Sequence, residues 1–139
     1  MIILDTNVIS ELMKLKCSIK VMDWVASYPP QNLFTTTINQ AEIFYGLAIL
    51  PLGKRRNDLE KSANQMFEVK FKDRVLPFDS AAAIIFSEIA AERRQLGKPI
   101  SQADAQIAAI AKSYGASLAT RNVSDFENCN LLIINPWSE

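Results

Sequence analysis

The chain has no histidine. Imidazole is the usual general base near neutral pH and a common zinc ligand, so its absence excludes Ser-His hydrolases, histidine-dependent nucleases and ordinary zinc hydrolases. Cysteine is nearly as scarce. Cys17 and Cys129 are too few for a disulfide framework and have no metal-type spacing, which leaves them as reduced, partly buried thiols. The net charge is zero, with 15 basic and 15 acidic side chains, which argues against holding nucleic acid by bulk electrostatics and leaves room only for a local basic face. No apolar run approaches the ~18 residues of a membrane span, and the N-terminus lacks the basic-then-apolar layout of a signal peptide. A cytoplasmic protein without membrane contact is the expectation. Repeats and low-complexity tracts are missing, as are G-x-G-x-x-G, a Walker A loop and a G-x-S-x-G elbow, so dinucleotide, P-loop and serine-hydrolase chemistries find no support.

What is present is an ordinary globular composition, 49% apolar and 22% charged over 139 residues. Chains of this size bury about 68–70% of their unfolded surface, so one domain over residues 1–139 is expected. Short apolar runs at 2–5, 32–36, 74–78, 117–120 and 131–135 read as strands, the third at an edge because of Pro77. Helical periodicity fills the intervals: 7–14, "SIKVMDWVASY" up to Pro29, "TINQAEIFYGLAIL" to about Leu50, "KRRNDLEKSANQMFEVKF", Ser80 to about Leu96 behind an Asp79 cap, and a helix from Ser101 to Gly115. Strands alternating with helices imply crossovers and a mostly parallel central sheet flanked by helices on both faces, an α/β fold. Ligands in such folds bind beyond the carboxyl ends of the strands.

Asp5 stands at the end of the first strand, where a carboxylate also suits a helix cap, a role open to Thr6 as well. Glu42 shares a helical stripe with Ile38, Ala41, Tyr45 and Ile49, which points its carboxylate toward packing, where an acid must be paired, protonated or bound to a cation. Asp104 follows Ser101 in an S-x-x-D arrangement close to a capping box, and Asp125 lies in the loop "RNVSDFENCN", where aspartate is commonplace. Each has an ordinary explanation alone. Two of them follow strands and two lie near helix starts, however, so all four are able to meet at one sheet edge. Close carboxylate pairs repel by about 3 kcal/mol at roughly 5 Å and an effective dielectric near 20, which calls for a divalent cation. All-oxygen ligands select Mg²⁺ or Mn²⁺ over zinc. Asn7, Thr120 and Asn122 are placed to position carboxylates or water, or to cap elements. Lys54, Arg55, Arg56, Arg93, Arg94 and Lys98 read first as solvated helix faces, with phosphate contact as the alternative.

The segments "LDTNVISEL", "TTTINQAEIFYGL" and "SQADAQIAAIAKSYGASLATRNVSDF" together resemble the PIN-domain ribonucleases, in particular the FitB-like branch of the VapC toxins, over nearly the whole chain. The resemblance implies a single PIN-like domain and a Mg²⁺-dependent endoribonuclease, with Mn²⁺ as a possible substitute. Asp5, Glu42, Asp104 and Asp125 match the family's four acidic positions, Thr6 and Asn7 its "DTN" motif, and Thr120 and Asn122 the polar positions before the last acid, in supporting roles. It also implies a homodimer inhibited by a small cognate antitoxin, with operator DNA bound only through that antitoxin. Under this reading Asp5 and Asp104 are metal ligands, Asp125 a direct or water-mediated ligand, and Glu42 a water orienter or general base. RNA products then carry 5′-phosphate and 3′-hydroxyl ends. Two rivals remain: a catalytically silent PIN-like module serving as antitoxin partner in a DNA-bound regulatory complex, and a DNA nuclease or phosphatase. A dehalogenase-type phosphatase wants a second Asp where this chain has Asn7.

Overall fold

The computed structural model describes residues 1–139. Ile2–Leu4 form β1, at the centre of a five-stranded sheet of order β3-β2-β1-β4-β5, where β2 is Leu33–Thr36, β3 Val75–Leu76, β4 Ser117–Ala119 and β5 Ile133–Ile134. Every pairing is parallel, so the sheet is parallel throughout rather than mostly so. β3 lies at an edge, where Pro77 at its exit costs no ladder bond.

Side chains along β1 alternate, and the two cores follow from that alternation. Ile2 and Leu4 point into a cluster with Val8, Val21, Trp24, Ile43, Leu47 and Phe67, drawn from helices α1 (Thr6–Leu12), α2 (Ile19–Ala26), α3 (Thr37–Ala48) and α4 (Lys54–Gln65), the last continuing into a π-helical turn at Met66–Lys70. Ile3 points the other way, into a cluster with Ala82, Ile89, Ile107, Ile110 and Leu118 from α5 (Ser80–Gln95), α6 (Gln102–Ser113) and β4. Buried on both faces, β1 has no room for polar residues until it ends at Asp5.

The helix starts carry the caps the sequence suggests. Asp5 caps α1, Asp79 accepts from the Ala82 amide to cap α5, and Ser101 accepts from the Asp104 amide to cap α6. Several elements are shorter than their patterns: α1 stops at Leu12 instead of residue 14, and the runs 74–78 and 131–135 each keep only two paired residues.

The inner stripe of α3 differs from the one its periodicity suggests. On α3 the buried residues are Asn39, Ile43 and Leu47, while Glu42 is exposed and Tyr45 and Ile49 are 69% and 65% exposed. The helix is apolar nearly all round, so periodicity alone does not select its inner face.

Candidate active site

The carboxyl ends of β1 and β4, helix α1, the second turn of α3 and the first turn of α6 meet at a polar, open pocket of about 470 Å³. Asp5, Glu42 and Asp104 line it with Thr6, Asn7 and Asn122, and its lining holds neither histidine nor cysteine. Asp125 is not among the lining residues; it sits exposed on a 3₁₀ turn, Val123–Phe126, close enough to Asp104 for its charge to raise that group. Phe126, 2% exposed, anchors that turn in the core.

Asp5 is the most tightly held of the four. Its Oδ1 accepts from the Thr6 amide at 2.8 Å and from Asn39 Nδ2 at 3.1 Å, and its Oδ2 from Thr120 Oγ1 at 2.7 Å and, at the outer limit of hydrogen-bond length, from Asn7 Nδ2 at 3.5 Å. Thr120 in turn accepts from Asn7 Nδ2 at 3.2 Å and the Asn122 amide at 3.1 Å. Desolvation nevertheless prevails over these donors and pushes the Asp5 carboxyl above its ordinary value, with the Glu42 charge adding to the rise. Asp104 is raised too, first by burial and then by the charges of Asp5 and Asp125. Glu42 reaches the site from the solvent side, its Oε1 accepting from Thr6 Oγ1 at 2.7 Å. The expectation that it points into packing is therefore corrected: its place at the site comes from Thr6, not from burial.

Asn39 was missed as a site residue. It is fully buried, accepts from Thr36 Oγ1 at 2.6 Å and donates to both Asp5 and Thr6, so one amide sets the positions of two site side chains. The signal was available in the N-x-x-E spacing, which puts an amide one helical turn before Glu42. We expect Asn39→Ala to lower the urea-unfolding free energy by about 1–3 kcal/mol, because donors and acceptors buried around it lose their partner.

Arg93 was read as a solvated or phosphate-contacting cation, and this too is corrected. It is 5% exposed and spends its guanidinium on the carbonyls of Lys98, Asp125 and Glu127 at 2.7–2.9 Å. Arg56 pairs with Glu60 at 2.8 Å, while Lys54, Arg55, Arg94 and Lys98 are exposed. Cys17 and Cys129 are free thiols, half-buried and buried.

The donor chemistry suits a hard divalent cation: carboxylate, hydroxyl and amide oxygens without histidine or cysteine, and two carboxyls pushed up first by burial and then by neighbouring acids. No three of the acids stand close enough together to hold a metal ion between them.

A parallel α/β sheet whose central strand ends in an acid-lined, histidine-free pocket defines a carboxylate-based site at a strand terminus. A family model described as PIN domain matches residues 2–128, and the chain belongs to that family, in its VapC branch with the FitB-like toxins. It is 41% identical to VapC ribonuclease Y4jK of Sinorhizobium fredii (strain NBRC 101917 / NGR234), over 99% of this chain and 98% of that one. It is 36% identical to toxin FitB of Neisseria gonorrhoeae (strain ATCC 700825 / FA 1090), over 100% of both. The solved structure of FitAB bound to an IR36 DNA fragment superposes with a TM-score of 0.91 at 36% identity, covering 99% of this chain and 96% of that one. Members of this branch are generally nucleases that depend on a divalent metal. No helix of this chain is long and apolar enough to cross a membrane.

Proposed function

We propose that the pocket hydrolyses RNA phosphodiester bonds with Mg²⁺, Mn²⁺ being a substitute, and that the chain is the toxin of a toxin–antitoxin pair. The observation that carries this is the gathering of Asp5, Glu42 and Asp104 around one open pocket without a histidine or cysteine. Asp5 and Asp104 are the proposed ligands, Asp125 a direct or water-mediated one, and the cation bound there supplies a polarised phosphate oxygen and a water of lowered pKa. The residues of the chain do the positioning. Asn39, Thr120 and the Thr6 amide hold Asp5 in one rotamer, and the Thr6 hydroxyl holds Glu42 where it can orient the attacking water or take its proton. The open mouth suits an unpaired, accessible strand.

The partner class follows the relatives: a cognate antitoxin, with operator DNA reached only through it. The apolar stripe of Tyr45 and Ile49, uncovered on α3, supports a homodimer.

The test is cleavage of total RNA by the protein freed of antitoxin. Activity is expected in Mg²⁺, none in EDTA, with fragments whose 5′-phosphates allow direct ligation. Failure to cleave a broad RNA panel, with the antitoxin still bound tightly in pull-down, would favour the silent module instead.

A second measurement needs no substrate. Because Asp5 and Asp104 are raised in the folded state, the fold binds protons that the unfolded chain does not. The metal-free protein is therefore expected to gain stability as pH falls from neutral toward the ordinary carboxylate range, and to lose it as pH rises through the raised values. Asp104→Asn removes one such charge, and should melt higher than wild type in EDTA. Adding Mg²⁺ at about a hundred times its dissociation constant should stabilise wild type by about 2.7 kcal/mol and the variant far less.

A further inference from the structure

The acid pocket poses an electrostatic problem that its carboxylates do not solve. A phosphodiester chain must approach Asp5, Glu11, Glu42 and Asp104, all lining residues, and the same lining offers only two cations, Lys14 and Arg121. Lys14 is engaged, its Nζ lying 3.1 Å from Glu11 Oε1. Arg121 belongs to neither of the chain's two ion pairs.

Arg121 is instead laid against an aromatic ring, with its guanidinium carbon 5.0 Å from the centroid of Trp137. A guanidinium held over a ring in this way satisfies its charge without a carboxylate partner and keeps N–H groups for a planar or tetrahedral anion. Both members are held at their backbones. The Arg121 amide donates to Asn7 Oδ1 at 3.1 Å, and Asn7 belongs to the network that fixes Asp5 through Thr120. The Trp137 amide donates to Asn135 Oδ1 at 3.0 Å, and its ring packs on the core cluster beneath β1. A cation that is exposed, unpaired and yet restrained loses little freedom when it binds an anion. Trp137 is the single hydrophobic residue of the lining, which marks it as a platform in an otherwise polar pocket.

Resting on the RNA-cleaving reading above, we infer that Arg121, stacked on Trp137, is the phosphate-binding residue that holds the RNA backbone beside the carboxylates. It neutralises a phosphate next to the one being hydrolysed and draws the strand into a pocket that otherwise repels it. Its work is in binding and register rather than in bond cleavage.

The experiment uses the full chain freed of its antitoxin, a fluorophore–quencher single-stranded RNA 12-mer of mixed sequence for cleavage in Mg²⁺, and the same RNA in EDTA for anisotropy titrations across a salt series. Arg121→Gln is expected to raise KM and the dissociation constant about five- to tenfold with little change in kcat, and to lower the slope of log affinity against log salt by about 0.7. Arg121→Lys keeps the charge and should recover part of the affinity. Trp137→Leu removes the platform and should fall between wild type and Arg121→Gln. Lys61→Gln, the same charge change on the exposed side of α4, should leave all readouts near wild type. If wild type cleaves the 12-mer and Arg121→Gln matches it in KM and salt slope, or is no worse than Lys61→Gln, the inference is overturned and the RNA reading stands. If wild type neither binds nor cleaves RNA, the RNA reading falls and this inference with it.

Discussion

Asp5→Asn is expected to lose RNA cleavage by about a thousandfold or more, since several kcal/mol of transition-state stabilisation depend on the charge at that position. The substitution is nearly isosteric, yet it does more than remove a charge. Thr6, Asn39, Thr120 and Asn7 all direct donors at the Asp5 oxygens. An asparagine there must turn an NH₂ group against two of them. If the amide nitrogen faces Thr120, that hydroxyl has to accept instead of donate, although it already accepts from Asn7 and from the Asn122 amide. Removing a buried charge favours the fold, and the frustrated network opposes it, so the change in stability should be small, within about 2 kcal/mol either way. A melting curve close to wild type together with lost cleavage would assign Asp5 to the chemistry. Retained cleavage in a preparation free of contaminating nuclease would remove it.

The second large effect is on stability, at a residue outside the pocket. Arg93→Met should lower the melting temperature by about 10 °C, from a loss of roughly 3 kcal/mol. Arg93 ties three stretches of chain with one group: the loop after α5 through Lys98, the 3₁₀ turn through Asp125, and the segment behind it through Glu127, with Cys129 Sγ at 3.7 Å. A methionine of similar length fills the space but leaves three carbonyls to find water. The loss should be local as well as global: hydrogen exchange should speed most at 122–130, the segment that carries Asp125. Arg93→Lys should rescue only in part, because an ammonium does not reproduce the planar fork that reaches several carbonyls at once. Exchange in that segment unchanged from wild type would show that Phe126 alone holds it.

The residues that could be read from the sequence are those whose role follows from where they stand in a pattern. Asp5 ends an apolar run, Ser101 and Asp79 precede helical periodicity, and Pro77 marks an edge; each is a local matter, and the structure keeps all of them. Asp104 and Glu42 were placed at the pocket by strand-end and helix-start logic, although Glu42 arrived there from the solvent side. What stayed hidden depends on contacts between distant segments. Arg93 looks like its neighbour Arg94 in sequence, and only the return of the chain at residues 125–129 makes one buried and the other exposed. Arg121 and Trp137 sit sixteen positions apart around β5, and neither has a periodic signature. Asn39 lay within a recognised motif but reads as a first-turn helix residue until Asp5 is seen beside it.

The strand order has a consequence for the making of the protein. β1 takes as its two neighbours residues 33–34 and residues 117–119, and Asp5 is gripped by Thr120, 115 positions later. The carboxylate is therefore synthesised well before the residue that seats it. Until residues 117–120 have been made, the central strand lacks one flank and the carboxylate lacks its Thr120 partner. A chain cut short before residue 117 carries Asp5 but neither the second flank of β1 nor the Thr120 hydroxyl that seats the carboxylate.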